Sequence, residues 1–273
     1  MKRQSNAAGP PAPGEVSFLG ISVHPKTLDE WTDTVGQMID EQRKGIIANH
    51  NLHSLYLFHR SREFREFYRK AVWTYIDGMP IIALARLYGH RLSRSQRITN
   101  VDWIDPLMGA AARHGWRIYY LGSSPGVAEA GAAALRRRHS ALQMRTRDGY
   151  FDVTRLCTDN LAVLADVNNY EPDILMVGMG MPRQELWIQE NLEQVSAKVI
   201  FSVGAAIDYF AGTIPTPPRW AARVGLEWAY RLMAEPGRLW KRYLLEPWSI
   251  LVILAMDLIR RGFRLRETSF PEE

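Results

Sequence analysis

Short apolar runs alternate with longer helical patterns through most of this 273-residue chain, and no other feature constrains its fold as strongly. Val16–Val23, Gly45–Ala48, Val72–Ile76, Arg117–Leu121, Met144–Arg147, Ile174–Val177 and Lys198–Val203 read as strands. Helices are expected from about Thr27 to Arg43, where Thr27 and Glu30 form a capping-box pattern, and from about Leu52 to Lys70. Others are expected from Met79 to about Tyr88, from Gly126 to about Arg138 and from Arg183 onward. Repeated β–α units of this kind predict an α/β fold, a mostly parallel sheet flanked by helices, over about residues 15–212. The first 14 residues, rich in Pro, Gly and Ala, read as a disordered tail without the apolar stretch of a secretory signal.

The pattern changes at Thr213–Pro218, a stiff proline-rich hinge. Three helices are expected beyond it, at about Arg219–Ala234, Pro236–Leu245 and Pro247–Gly262, each proline suiting a first helical turn. Residues 219–266 hold ten Lys/Arg against four acids, so most of the net charge of +5 belongs to this C-terminal appendage. Trp248–Ile259 is apolar over about 12 residues, short of the ~20 that span a bilayer, and arginines follow at once. That pattern fits a helix lying in a membrane interface; a helix packed on the protein is the alternative. The basic segment carries no nucleic-acid reader motif, which argues against a nucleic-acid partner. The single cysteine, Cys157, excludes an internal disulfide.

Open α/β sheets collect ligands at the C-terminal ends of their strands, where small and polar residues cluster here. Asn49 and Asn51 follow one strand, and Asp77 follows another. Gly122 and Ser123 begin a phosphate-type turn, and Gly178, Gly180, Gln184 and Glu185 lie in EPDILMVGMGMPRQELWIQ at Glu171–Gln189. Gly204 and Asp208 come after the last strand. A helix start after such a loop offers N–H groups to an anion, although an ordinary capped turn has the same signature. Asp77 beside Gly78 suits a general base, or equally a helix cap. Asn49 and Asn51 suit sugar hydroxyls or caps. Arg97, Arg231, Arg238 and Arg242 are the cations available to a diphosphate, the last three spaced seven and eleven residues from the first on the appendage. His50 and His53 do not form a ligand set. No Cys/His cluster, HExxH, Walker A, GxGxxG or GxSxG motif occurs, so no metal is expected and neither dinucleotide oxidoreduction nor ordinary α/β hydrolysis is favoured.

IDGMP at Ile76–Pro80, GMGMPRQELW at Gly178–Trp187, GAAIDYFAGT at Gly204–Thr213 and RVGLEWAYRLMAEPGRLWKRYL at Arg223–Leu244 together resemble the WecG/TagA/CpsF glycosyltransferases, glycosyltransferase family 26, including GumM-type enzymes of exopolysaccharide assembly. The resemblance spans about Phe18–Tyr243 and implies a Rossmann-like fold of the GT-E type with a membrane-binding helical appendage. It implies a peripheral enzyme on the cytoplasmic face of the membrane that moves a hexose from a UDP-sugar to a polyprenyl-diphosphate-linked sugar, with inversion and without a metal or other cofactor.

Under the resemblance Asp77 matches the catalytic base, Gln184 lies in the donor-pocket motif and Arg97 stands near the UDP phosphates. Arg231 and Arg238 match appendage arginines that close over the site, and Asn51 matches an asparagine after the early strand. Asn49 stands where many members carry threonine, and Asn100-Val101 replaces a usual glycine. Both departures lie near the sugar pocket and direct the expectation from N-acetylmannosamine toward glucose. Homo-oligomers that shield the appendage are also implied. A nucleotide-binding oxidoreductase and a non-enzymatic membrane scaffold of a polysaccharide assembly remain as alternatives.

Overall fold

The structure is a computed structural model, and it describes residues 14–215 and 227–267, without the side chains of Val101, Glu227, Arg238 and residues 262–267. The expected tail through Pro13, the end of the proline-rich hinge and the expected helix start at Arg219 therefore lie outside the described residues, as does the Arg238 side chain. In chain order the strands are β1 (Val16–Phe18), β2 (Ile21–Val23), β3 (Gly45–His50), β4 (Ala71–Ile76), β5 (Arg117–Gly122), β6 (Gln143–Arg147), β7 (Ile174–Gly178) and β8 (Val199–Ser202). The helices of the body are α1 (Leu28–Asp40), α2 (Leu52–Arg60), α3 (Arg62–Lys70), α4 (Met79–Leu87), α5 (Asn100–His114), α6 (Val127–Arg138), α7 (Thr158–Tyr170), α8 (Arg183–Asn191) and α9 (Asp208–Ala211). The C-terminal segment carries α10 (Glu227–Ala234), α11 (Pro236–Trp240) and α12 (Glu246–Glu267), with a π-helical turn at Lys241–Leu245 between the last two.

Six strands form one parallel sheet in the order β4-β3-β8-β7-β5-β6. Being buried on both faces, its central strands are continuous apolar runs rather than alternating ones. On one face α1, α5 and α6 pack through Trp31, Val35, Trp103, Leu107 and Leu135. On the other, α3, α7 and α8 pack through Phe67, Val163, Leu164, Trp187 and Ile188. The expected α/β architecture is thus the observed one. Strand order places the ends of β3, β4, β5, β7 and β8 along one edge, and there the cleft opens.

Four local expectations need correction. Val16–Val23 is not one strand of the sheet but the antiparallel β1–β2 hairpin, because Leu19 (φ 48°) and Gly20 (φ 74°) turn the chain. Its apolar side chains build a third cluster with Leu55, Ile81 and Ile82. The single helix expected at 52–70 is broken at Ser61, which is extended and whose Oγ accepts the Phe64 N–H at 3.1 Å, capping α3. Helices α5 and α7 join the expected set. Pro106 and Gly109 obscure the helical pattern of α5, although Thr99 and Asp102 form a capping box at its start.

The last correction concerns Pro247, which does not begin a separate helix. The chain is helical from Pro236 to Glu267, and the Glu246 N–H bonds Lys241 O, five residues back. Proline lacks an N–H and crowds the preceding turn, and the widened turn sits just ahead of it. The third apolar cluster receives α12: Ile250 is buried, and Ile253 and Leu254 pack beside it. Burying one such side chain contributes about 2 kcal/mol. Tyr88 donates to Asp257 at 2.6 Å, and Arg261 both bonds Asp257 at 2.8 Å and covers the Tyr88 ring. The opposite face is exposed, with Trp248 at 68%, Leu251 at 52%, Val252 at 57% and Ile259 at 58%. Membrane-facing and protein-packed readings of this helix were alternatives in the sequence; the helix has one packed face and one exposed apolar face. No described helix is long and apolar enough to cross a membrane.

Candidate active site

A cleft of about 1040 Å³ lies between the strand ends and the C-terminal segment. It is at the upper end of the range for small-molecule sites. Asp77, Asn49, Asn51, Ser123, Gly178, Gly180, Gln184 and Asp208 line it from the body, and Arg231, Arg242 and Glu246 from the segment. These residues come from five strand ends and one appendage, and the fold brings them together.

Asp77 stands immediately after β4, its N–H donating to His50 O at 2.8 Å on the neighbouring β3. Asn49 Nδ2 and Asn51 Nδ2 both donate to the same carboxylate oxygen, Oδ2, at 3.2 and 3.1 Å. The Asn51 amide cannot turn around without loss, because its Oδ1 accepts the Ser54 N–H at 3.0 Å and caps α2. The asparagine therefore caps α2 with its oxygen and holds Asp77 with its amide N–H. Asp77 itself makes no cap bond, since Gly78 is the residue preceding α4. Burial pushes the Asp77 carboxyl above the ordinary carboxylate range, and the Asn51 bond with the fields of Arg231, Arg242 and Arg97 restrains that rise. Such a carboxylate is a stronger base than one in water, with one oxygen held and the other left for chemistry.

Arg231 and Arg242 face Asp77 from the C-terminal segment. Burial opposes the Arg231 charge, but Tyr209, Tyr243, Asp77 and Glu235 outweigh it and raise its pKa. Burial and the neighbouring Arg231 lower that of Arg242, against Tyr243, Asp77 and Glu246. Arg231 Nε is buried without a hydrogen-bond partner among the described residues. A buried guanidinium N–H left open is costly and marks a place for an incoming oxygen. Arg97 takes another position. Its side chain is 11% exposed, pairs with Asp102 at 3.4 Å and does not line the cleft, and it acts on Asp77 through its field.

The glycine wall differs from the expected anion cradle. Gln184 Oε1 accepts the N–H groups of Gly180 at 3.1 Å and Gly204 at 3.0 Å, so these two donors are already used. Gln184 is buried and serves first as a tie between two loops, rather than as a side chain held out to a donor. Glu185 does not line the cleft; it lies fully buried behind the wall, its Oε1 accepting Gln184 Nε2 at 2.7 Å. Burial pushes its pKa up to about 7. Gly122 is also outside the cleft lining, and a Cβ there would come within 2.3 Å of Gly178 O. Its smallness lets β5 and β7 close up. Ser123 does reach the cleft, where its hydroxyl donates to Asp208 Oδ2 at 2.6 Å and meets Tyr120 OH at 2.7 Å.

Several residues take roles at the site that the sequence reading did not give them. Asn100 lines the cleft and brackets it, with Nδ2 donating to Val203 O at 2.6 Å and Oδ1 accepting from Trp103 Nε1 at 3.3 Å. Arg183 lines the cleft while its guanidinium donates to Gly149 O and Phe151 O, pinning the loop after β6. His53 is not a ligand but a clasp: its Nδ1 lies 2.6 Å from Glu246 Oε2 and joins α2 to α12. His50 is a core residue, stacked on Tyr68 and held by burial at a pKa of about 3, so it stays neutral.

A doubly covered parallel sheet with a charged cleft at its strand ends defines an α/β protein of the ligand-transforming type. The chain belongs to the glycosyl transferase WecG/TagA/CpsF family, whose model matches residues 16–264. It is similar to an N-acetylglucosaminyldiphosphoundecaprenol N-acetyl-beta-D-mannosaminyltransferase of Staphylococcus aureus (strain MRSA252), 27% identical across 84% of this chain and 86% of that protein. It is also similar to the protein of the same name from Bacillus subtilis (strain 168), 26% identical across 82% of this chain and 85% of that one. The chain is a glycosyltransferase, which sets aside the oxidoreductase and scaffold alternatives.

Proposed function

We propose that this glycosyltransferase moves a hexose from a UDP-sugar to a polyprenyl-diphosphate-linked sugar, with inversion and without a metal, while docked on the cytoplasmic face of the membrane during envelope or exopolysaccharide synthesis. The observation that carries the reading is Asp77 Oδ2 held by two asparagine amides and facing two half-buried arginines, Arg231 and Arg242. Asp77 takes the proton of the acceptor hydroxyl through its remaining oxygen. The hydroxyl oxygen bonds the anomeric carbon from the face opposite the leaving group, and the bond to UDP breaks with its electron pair on the diphosphate. Arg231 and Arg242 meet that growing charge, with Arg238 beside them by the resemblance. Because Gly180 and Gly204 have spent their N–H groups on Gln184, the diphosphate depends on these arginines. Asp208, an acceptor, suits ribose or sugar hydroxyls rather than phosphate.

The outer face of α12, with Trp248, Leu251, Val252 and Ile259 followed by the exposed Arg260, supports docking on an anionic membrane surface. The departures at Asn49 and Asn100 support glucose as the donor sugar. The relatives' names support N-acetylmannosamine as the other donor to test, and a diphosphoundecaprenol-linked N-acetylglucosamine as the acceptor. UDP release from a panel of UDP-sugars with that lipid acceptor, with and without EDTA, tests all of this. Turnover that needs both substrates and withstands EDTA is expected; loss of activity in EDTA overturns the metal-free mechanism, and release from no UDP-sugar overturns the donor class.

A further inference from the structure

Glu185 is a fully buried carboxyl group that the transfer mechanism does not use. Its Oε1 accepts Gln184 Nε2 at 2.7 Å, and its Oε2 has no partner among the described residues. A lone buried carboxyl is costly, and a methionine of similar volume would fill the space without that cost. What the carboxyl supplies is direction. An amide offers oxygen on one side and N–H groups on the other, and only one orientation of Gln184 serves its surroundings. With Nε2 turned to Glu185, Oε1 points at two N–H donors, those of Gly180 and Gly204. Turned around, Nε2 would oppose both donors and Oε1 would oppose an acceptor.

Those donors belong to different loops, one after β7 and one after β8, and both glycines adopt left-handed φ values, 81° and 55°. Glycine alone holds such values without strain, so the loops have little stiffness of their own. Beyond the Val203 N–H bond to Val177 O at 2.8 Å, where they leave the sheet, the Gln184 oxygen ties them together, and both line the cleft. We propose that Glu185 is a positioning residue of the transfer reaction: by fixing the orientation of the Gln184 amide, it sets the spacing of the two glycine loops against which the nucleotide-sugar is bound. This rests on the UDP-sugar reading of the cleft. It also accounts for a buried acid placed next to a glutamine at the start of α8. Burial raises the Glu185 pKa to about 7, and in either protonation state an accepting oxygen remains for Gln184.

Glu185→Met is the decisive variant. It is expected to fold, to raise the donor KM by roughly tenfold while changing kcat less, and to displace the amide resonances of Gly180 and Gly204 in the spectrum of the unliganded protein. Gln184→Met is expected to give the same KM rise, and the double variant to be no worse than either single one, because both remove one tie. Glu185→Gln keeps an accepting oxygen and is expected to recover part of the loss. Wild-type KM with unmoved glycine resonances in Glu185→Met, or additive effects in the double variant, overturns the inference. If Glu185→Met does not fold, Glu185→Gln is read by its two glycine resonances, since its added N–H groups compete with Gln184; unmoved resonances again overturn it. Failure of the wild-type protein to release UDP from any donor would instead overturn the reading of the site.

Discussion

The two walls of the cleft are built differently. The body wall consists of strand ends, and its functional groups are held by neighbours in the same sheet: Asp77 by Asn49 and Asn51, Gly180 and Gly204 by Gln184. The C-terminal wall is a helical run that rests on the body through Ile250 and its neighbours, the His53–Glu246 pair and the Tyr88–Asp257–Arg261 group. A sheet edge imposes geometry through many backbone hydrogen bonds, whereas the appendage depends on a few side-chain contacts. The difference separates tasks. In the proposed reaction the rigid wall would hold the base and shape the donor pocket; the attached wall brings arginines, and it carries the exposed apolar face of α12.

This contrast can be broken from the body side first. Asp77→Asn removes the base while keeping the amide-sized group, and kcat should fall by about 10³-fold with little change in donor binding. A variant retaining more than a tenth of wild-type turnover in the UDP-release assay would sink the assignment. On the other wall, Arg231→Ala and Arg242→Ala should each lower kcat by about 10²-fold, because each removes a charge that acts on the departing diphosphate. Equal losses for an exposed cation such as Arg260→Ala would show that general charge, not the cleft arginines, matters.

The attachment itself is tested by Glu246→Gln, which weakens the contact with His53 without touching the base. Turnover should drop by roughly fivefold, the scale of one hydrogen bond. Unfolding of the body should be unchanged by calorimetry; a lowered body transition would mean that the two walls are not separable. A separate effect, read on stability rather than turnover, is one of pH. The folded protein holds Glu185 at about 7 against an ordinary value of 4.5. Its charged form is therefore disfavoured in the folded state, so stability is highest below about pH 4.5 with respect to this group and declines as pH rises toward 7. The decline amounts to about 3 kcal/mol and is complete above pH 7. Glu185→Gln should flatten the stability profile over that window in denaturant titrations; an unchanged slope would show that Glu185 is not the buried acid responsible.

Much of this was legible in the residues. Seven apolar runs were read as seven strands and eight are observed, because Leu19-Gly20 turns inside the first run and makes it a hairpin. Asp77, Asn49, Asn51, Ser123, Gly178, Gly180, Gln184 and Asp208 were all legible as strand-end residues, and they do line one cleft. Arg231 and Arg242 were legible as cations on a helical segment. Less legible were groups whose partners are far away in the chain. His53 and Glu246 are 193 residues apart, and Asn100 and Val203 are 103 apart. No local pattern announces such pairs.

The sequence by itself determined the alternation of strand and helix, the parallel α/β class and the position of small and polar residues at strand ends, because periodicity and turn chemistry record which face of each element is buried. The tertiary structure decided which of those ends meet and what each group does there. Gln184 became a tie between two loops at the cleft wall, Glu185 a buried carboxyl behind that wall, and Arg97 lies beside the cleft rather than in it. The last helix became a two-faced element, one side packed and one side open. Burial patterns fix how apolar a face is, but only strand order and packing fix what that face touches.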